Sequence, residues 1–280
     1  IKAGEEVDGR DDGGCTPLLL ATQSERLEES LRETIILLIK AGADLQAIDK
    51  NGRGALHHSL AKLRSPSFNQ WMLSLGANPL VVDSNGKHAL HISSECSDLP
   101  NLQLMLKTDA YRMIDMVDDS NRTALSISIY QGTPNLTRCL LDCGADVNCD
   151  GEDRFDPSLP RKCPIHLAIE FRDKEHVLML ISRGCRMTSR DYRGRTPLHY
   201  AVLHAHIDIC RIVVDAGTPV DVVDDEDRSA EEMAADLRLT EIRDYLISVR
   251  GKNEPWIRKR DRKPKRYSSD QGYGSEESQL

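Results

Sequence analysis

The stretch from Asp191 to Gly217 reads as a turn, a helix, a second helix and a stop, and this plan constrains the fold of the chain more than any other feature. Thr196 suits a helix N-cap, Pro197 follows where its missing N–H costs nothing, and Leu198 and Ala201 begin an apolar helical face. Ile207, Ile209, Cys210, Ile212, Val213 and Val214 predict the second helix, and Gly217 suits the left-handed residue that closes it. Gly194, two residues before the cap, predicts a tight hairpin turn with positive φ. A unit this small cannot bury its own apolar face, so it has to stack on copies of itself. Those copies are present. Aligned on the capping position they start at Thr16, Gly54, His88, Thr123, Cys163, Thr196 and Ser229, with spacings of 38, 34, 35, 40, 33 and 33 residues.

Thr196-Pro-Leu-His-Tyr-Ala201 is a complete repeat head. Cys163-Pro-Ile-His-Leu-Ala168 and Thr16-Pro-Leu-Leu-Leu-Ala21 are close to it, and the heads at Gly54, His88 and Thr123 are degenerate. A period near 33 with this head resembles the ankyrin-repeat family. The resemblance implies an all-α ankyrin-repeat α-solenoid of helix-turn-helix units with β-hairpin loops. It is expected over residues 1–249, as a half repeat at 1–10 followed by seven repeats, the last one capping. Ile1-Lys-Ala-Gly4 repeats Ile39-Lys-Ala-Gly42, so the chain is expected to begin inside a repeat of a longer parent protein.

Irregularities in the period mark where this array departs from the plan. Repeat one carries five extra residues between Gln23 and Glu33, which would lengthen a helix or make a protruding loop. Trp71 is expected on the second helix of repeat two, against a neighbouring unit. Repeat three shows Thr108-Asp109 in place of the closing glycine and is the expected irregular step. The largest departure is the seven-residue insertion within 150–162, where Pro157 and Pro160 oppose helix and central strand. It reads either as a tolerated surface loop or as a contact, and its four acids and Phe155 make it the first loop candidate for a partner. In the last unit Glu231 and Glu232 replace the motif's Leu and His, giving the polar outer face that a terminal repeat needs.

With 39% hydrophobic but only 4% aromatic residues, the core has to be aliphatic, as stacked helices allow. The net charge is −8, yet residues 250–280 carry nine Lys/Arg against five Asp/Glu, so the repeats themselves are strongly acidic. No apolar run is long enough to span a membrane. The eight cysteines lack paired zinc-type spacing and sit mostly at apolar helical positions, which suggests a reducing compartment and no metal or cofactor. His57, His91, His166 and His199 are the motif histidines, for which the resemblance implies hydrogen bonds within and between loops. His204 is left over, with a structural or solvent role expected. No nucleophile–base order or Gly-rich phosphate loop stands out, so no catalytic residue and no enzyme activity are expected.

In the ankyrin family, partner contacts usually come from the loop tips and the concave ends of the first helices. Carried onto this chain, the candidates are Lys50, Asn51, Arg53, Lys87, Arg122, Tyr130, Lys162, Phe171, Tyr192, Arg193, Arg195, Leu203 and His204, with Phe155 from the insertion. Arg53, Lys87, Arg122, Lys162, Arg195 and Arg228 precede six successive caps, which reads as a cationic ladder for an acidic partner. The alternative is that Asp49, Asp83, Asp118, Asp191 and Asp224 neutralise it. Asn148, in Asp146-Val-Asn148, resembles a target of the asparaginyl hydroxylase that modifies ankyrin loops.

Beyond 249 the composition is that of a disordered tail, basic and then Ser/Gly-rich and acidic. Arg258, Lys259, Arg260, Arg262, Lys263, Lys265 and Arg266 are the candidate nuclear-import cluster, and Ser278 and Leu280 a candidate PDZ-domain ligand. The expectation is therefore a monomeric, non-enzymatic scaffold that binds a protein partner, with an import receptor or PDZ domain on the tail and no nucleic acid. It is expected in the cytoplasm, with the nucleus as a second compartment. The alternatives are a regulatory or docking region of a larger enzyme or channel, and a nuclear transcriptional cofactor or inhibitor.

Overall fold

The computed structural model describes residues 6–149 and 162–250. The expectations for Phe155, the basic cluster at 258–266, Ser278 and Leu280 fall outside those residues.

The described residues form helix pairs, one pair per repeat. Repeat one holds α1 (Pro17–Gln23) and α2 (Glu28–Lys40), repeat two α3 (Ala55–Ala61) and α4 (Pro66–Ser74), and repeat three α5 (Ala89–Glu95) and α6 (Leu99–Leu106). Repeat four holds α7 (Ala124–Tyr130) and α8 (Pro134–Asp142), and repeat five α9 (Pro164–Glu170) and α10 (Lys174–Ser182). Repeat six holds α11 (Pro197–Leu203) and α12 (Ile207–Asp215), and repeat seven α13 (Ala230–Asp236) and α14 (Thr240–Arg250). Helices of seven residues are marginal alone, so tertiary packing has to stabilise them. The first helices pack in unbroken succession from α1 to α13, and the second helices from α4 to α14. This is the all-α ankyrin solenoid. The β-hairpin loops are present as tight turns, and among the described residues the only β pairing is the Val223–Ser229 bridge.

Among the described residues, the turns before repeats one to four, six and seven are each closed by one aspartate. In repeat six, Asp191 Oδ1 accepts from the Arg193 and Arg195 N–H groups at 2.9 and 2.8 Å. Gly194 takes φ +71°, and a Cβ there would lie 3.0 Å from the backbone nitrogen of Asp225, which donates to Arg193 O at 2.9 Å. Successive turns are thus stacked by backbone hydrogen bonds, with no room for a side chain at that glycine.

Except for α1, the first helices end in a left-handed residue nine positions after the cap, Gly132 in repeat four. Leu63, Ser97, Arg172, Ala205 and Arg238 occupy it with φ between 54° and 58°.

The extra residues of repeat one lengthen α2 to 13 residues, against nine in α12, with one more in the linker. Arg32 of α2 lies over the rings of Phe68 and Trp71, 5.9 and 5.2 Å from their centroids, so Trp71 does face the neighbouring unit. Glu28 accepts from Ser65 N at 2.7 Å and Ser65 Oγ at 2.6 Å. Repeat three closes with a 3-10 helix, Asp109–Met113, where α2, α4, α8, α10 and α12 stop at glycine.

The buried apolar residues fall into two clusters. One runs from Cys15 to Ala77 through repeats one and two, the other from Leu60 to Leu246, and Leu73 borders both. Near this boundary runs a buried polar chain. Ser59 Oγ donates to Asn69 Oδ1 (2.6 Å), Asn69 Nδ2 to Asn101 Oδ1 (2.9 Å), and Asn101 Nδ2 to Arg64 O (2.7 Å).

Candidate protein-binding face

Three of the four motif histidines lock the candidate face to the stack, while neither ring nitrogen of the buried His166 has a hydrogen-bond partner among the described residues. In repeat six, His199 Nδ1 accepts from the Thr196 N–H at 3.2 Å, which leaves the proton on Nε2, 3.1 Å from Arg228 O of repeat seven. His57 Nε2 lies 3.2 Å from Lys87 O, and His91 Nε2 2.9 Å from Arg122 O. The backbone of three rungs of the cationic ladder is therefore held by the preceding repeat. Burial is the main cause that lowers the pKa of His57, His91 and His199, so these rings stay neutral. The repeat-seven cap replaces this histidine with Glu232, which accepts from Ser229 N and Oγ, both at 2.8 Å.

All six rungs of the ladder are paired with acids of the chain itself. Arg53, Arg122, Arg195 and Arg228 reach the aspartate of their own turn, at 3.3, 2.6, 2.7 and 3.0 Å from Asp49, Asp118, Asp191 and Asp224. The lysines behave differently. Lys87 and Lys162 each reach down to the glutamate that ends the first helix, 2.8 Å from Glu95 and Glu170. Asp83, an expected partner of Lys87, instead accepts from the Lys87 backbone N–H at 2.8 Å. Arg122 also bridges to Glu95 of repeat three at 3.0 Å. Burial alone would raise Asp191, but hydrogen bonds from the Arg195 side chain and from the Arg195 and Arg193 backbone outweigh it and hold the carboxyl low.

Apolar groups present themselves on the same side. Tyr130, the last residue of α7, and Phe171, just after α9, meet edge to face with ring centroids 5.2 Å apart. They remain 63% and 45% exposed, and Leu203 at the end of α11 is 40% exposed. His204 is half-buried, 6.2 Å from the Tyr200 ring. At the turn tip of repeat six, Tyr192 is 49% exposed and carries the guanidinium groups of Arg193 and Arg195 at 5.3 and 5.9 Å. Lys50 and Asn51 are exposed at the repeat-two tip, where their backbones stack on Gly13 O and Ser84 N at 3.0 and 2.8 Å.

Asn148 is half-buried, and its Oδ1 accepts from Arg186 N of the next loop at 2.7 Å. The carbonyl is part of the inter-loop bonding, a role that residue spacing did not indicate. Among the described residues no helix is long and apolar enough to cross a membrane.

A family model described as ankyrin repeats (3 copies) matches residues 61–151, 98–191 and 165–255. The chain belongs to the ankyrin-repeat family. Human inversin is 28% identical over 212 residues, which take in 74% of this chain and 19% of inversin. The mouse B-cell lymphoma 3 protein homolog is 26% identical over 209 residues, 74% of this chain and 45% of that protein. This chain thus spans less than a fifth of human inversin. The crystal structure of the ankyrin repeat domain of Bcl-3, described as a unique member of the IkappaB protein family, superposes with a TM-score of 0.70 at 21% identity. That match covers 82% of this chain and 99% of the other, and shows the likeness of fold. Ankyrin repeats are generally protein-interaction modules, typically without enzymatic activity.

Proposed function

We propose that this array is a non-enzymatic scaffold that binds a protein partner along the concave ends of repeats four to six. The observation that carries the reading is the exposed edge-to-face pair of Tyr130 and Phe171, rigidly held at the ends of successive first helices. Aromatic rings with few rotatable bonds and large apolar area are the usual anchors of an interface. Leu203 extends this strip to repeat six, and Tyr192 with Arg193 supplies a cationic, aromatic tip beside it. Because the ladder cations are already paired, the partner is read mainly by apolar contact and only secondarily by charge. The acidic loop with Phe155 and the basic tail are further proposed contacts, the tail for an import receptor or a PDZ domain. Cytoplasm and nucleus are the compartments that go with this reading. In a longer parent protein the same face would serve as the docking region.

The test compares proteins retained from cell extracts by the intact chain, by Tyr130→Ala/Phe171→Ala, and by a chain lacking 252–280. The double variant should lose the partners of the array by tenfold or more, about 1.4 kcal/mol, while its thermal unfolding stays unchanged. Retention of the same partners by the double variant would rule out this face.

A further inference from the structure

The step from repeat one to repeat two departs from the ladder scheme at three positions at once. Immediately before the cap, where repeats three and five carry Lys87 and Lys162, repeat one carries Cys15. Seven residues after the cap, where those lysines find Glu95 and Glu170, it carries Gln23, whose Nε2 lies 3.2 Å from Cys15 Sγ. Four residues after the cap, where repeat six sets the Tyr200 hydroxyl 3.0 Å from Asp191 Oδ2, repeat two sets His58 Nε2 3.2 Å from Asp49 Oδ2. The lysine–glutamate pair is thereby replaced by a thiol and an amide and the tyrosine by an imidazole, while the turn carboxylate is kept. The donor atoms of Cys15, Asp49 and His58 all lie within 4.8 Å of one another.

We propose that Cys15, Asp49 and His58 bind a zinc ion that clamps repeat one onto repeat two.

The donor set and the spacing both support this. Thiolate and imidazole favour zinc, whereas calcium and magnesium take shells of six or more oxygens. Two ligands about 2.0 Å from a tetrahedral ion stand roughly 3.3 Å apart, close to the 3.2 Å between His58 Nε2 and Asp49 Oδ2. The Gln23 amide nitrogen lies 3.2 Å from Cys15 Sγ and 3.4 Å from His58 Nε2, so that on an amide flip its Oε1, or a water, completes the shell. Cys15, Asp49 and His58 are all buried, so a bound ion would be largely shielded from solvent. On binding, the Cys15 thiol releases its proton to solvent, and the resulting thiolate and the Asp49 carboxylate balance the two positive charges of zinc. His58 coordinates through Nε2 as the neutral ring, with its proton on Nδ1. The group that competes with zinc is Arg53, 3.3 Å from Asp49 Oδ2 but with a side chain 43% exposed and able to turn to water.

The sequence-based expectation of no metal missed this cluster because its three ligands come from two repeats, with no short-range ligand spacing to read.

The test titrates the reduced, metal-stripped full chain with Co²⁺ and then Zn²⁺. One equivalent of Co²⁺ should give thiolate-to-cobalt charge-transfer absorption with tetrahedral d–d bands, and Zn²⁺ should displace it and raise the Tm. Cys15→Ser and His58→Ala should each weaken binding at least as much as the 10–100-fold that follows loss of an outer-shell partner. Cys139→Ser/Cys143→Ser should leave binding intact, and Arg53→Gln should tighten it. The triple variant Cys15→Lys, Gln23→Glu, His58→Tyr, which copies the arrangement of the step from repeat five to six, should fold and bind no ion. Absence of one-equivalent binding by the intact chain, or binding that survives both Cys15→Ser and His58→Ala, would overturn the assignment. Neither outcome bears on the partner face of repeats four to six.

Discussion

The steps from repeat one to two and from repeat five to six place corresponding residues at the same four positions, and differ in what those residues can do. Asp49 and Asp191 both sit five residues before their caps and both meet the side chain four residues after it, His58 in one step and Tyr200 in the other. In the later step Lys162 is bonded to Glu170 at 2.8 Å and lies 6.0 Å from the Tyr200 ring centroid, and Tyr200 is bonded to Asp191, so the polar groups at these four positions are satisfied within the protein. In the earlier step Cys15 and Gln23 leave a thiol and an amide where that ion pair would be. The stack does not depend on a particular polar set at these positions, because the turns are held by aspartate-to-backbone bonds and the helices by apolar burial. Such positions are open to specialisation, whereas Leu198, fully buried, and Gly194, with no room for a side chain, are not.

The comparison can be tested most strongly through the core. Leu18 and Leu198 are both 0% exposed, one in each apolar cluster, and Leu→Ala at either should cost about 2–5 kcal/mol in urea unfolding. The two should differ in reach. Leu18→Ala should lower hydrogen-exchange protection in repeats one and two while leaving repeats four to seven protected, as expected of a quasi-one-dimensional array. Equal loss along the whole chain would show that the two clusters unfold as one.

Both steps also contain a buried neutral histidine. Burial holds His58 and His166 at about 4, well below the ordinary histidine value. Between about pH 6.5 and pH 4 the unfolded chain therefore binds more protons than the folded one, so stability falls as the pH falls through that window. Each ring contributes up to about 1.4 kcal/mol per pH unit there. Without metal, the urea midpoint should drop between pH 7 and pH 5, and His166→Gln should flatten the drop. A midpoint independent of pH in that range would contradict the buried neutral rings.

The smallest effect is expected at the ladder itself. Lys162 and Glu170 are 26% and 29% exposed, so Lys162→Met should change stability by no more than about 1 kcal/mol. A larger loss in thermal unfolding would make the ion pair, rather than the core beneath it, the support of this step.

Much of the frame was legible in advance. Thr196, Pro197, Leu198, His199, Gly194 and Gly217 each announce a local requirement that a single residue meets, a cap, a missing donor, a core position or a positive φ. The left-handed residue that ends the first helices was not legible, because Leu63, Ser97, Arg172, Ala205 and Arg238 have no preference for it and adopt it under the pull of the stacked helices. The pairing of the ladder was half legible. An acid near each rung was evident, but whether Lys87 turns to Asp83 or Glu95 depends on a side-chain path across the turn.

What the sequence by itself determined is the period and the helix pairs, because these follow from caps, breakers and apolar spacing within a few residues. What only the tertiary structure decided is which distant side chains meet. It joined Tyr130 to Phe171 across the 150–162 insertion, paired the ladder cations with acids of the chain, and brought Cys15 to Asp49 and His58. Stacking converts a separation of one repeat into contact distance, and no local pattern of residues encodes which groups will then lie side by side.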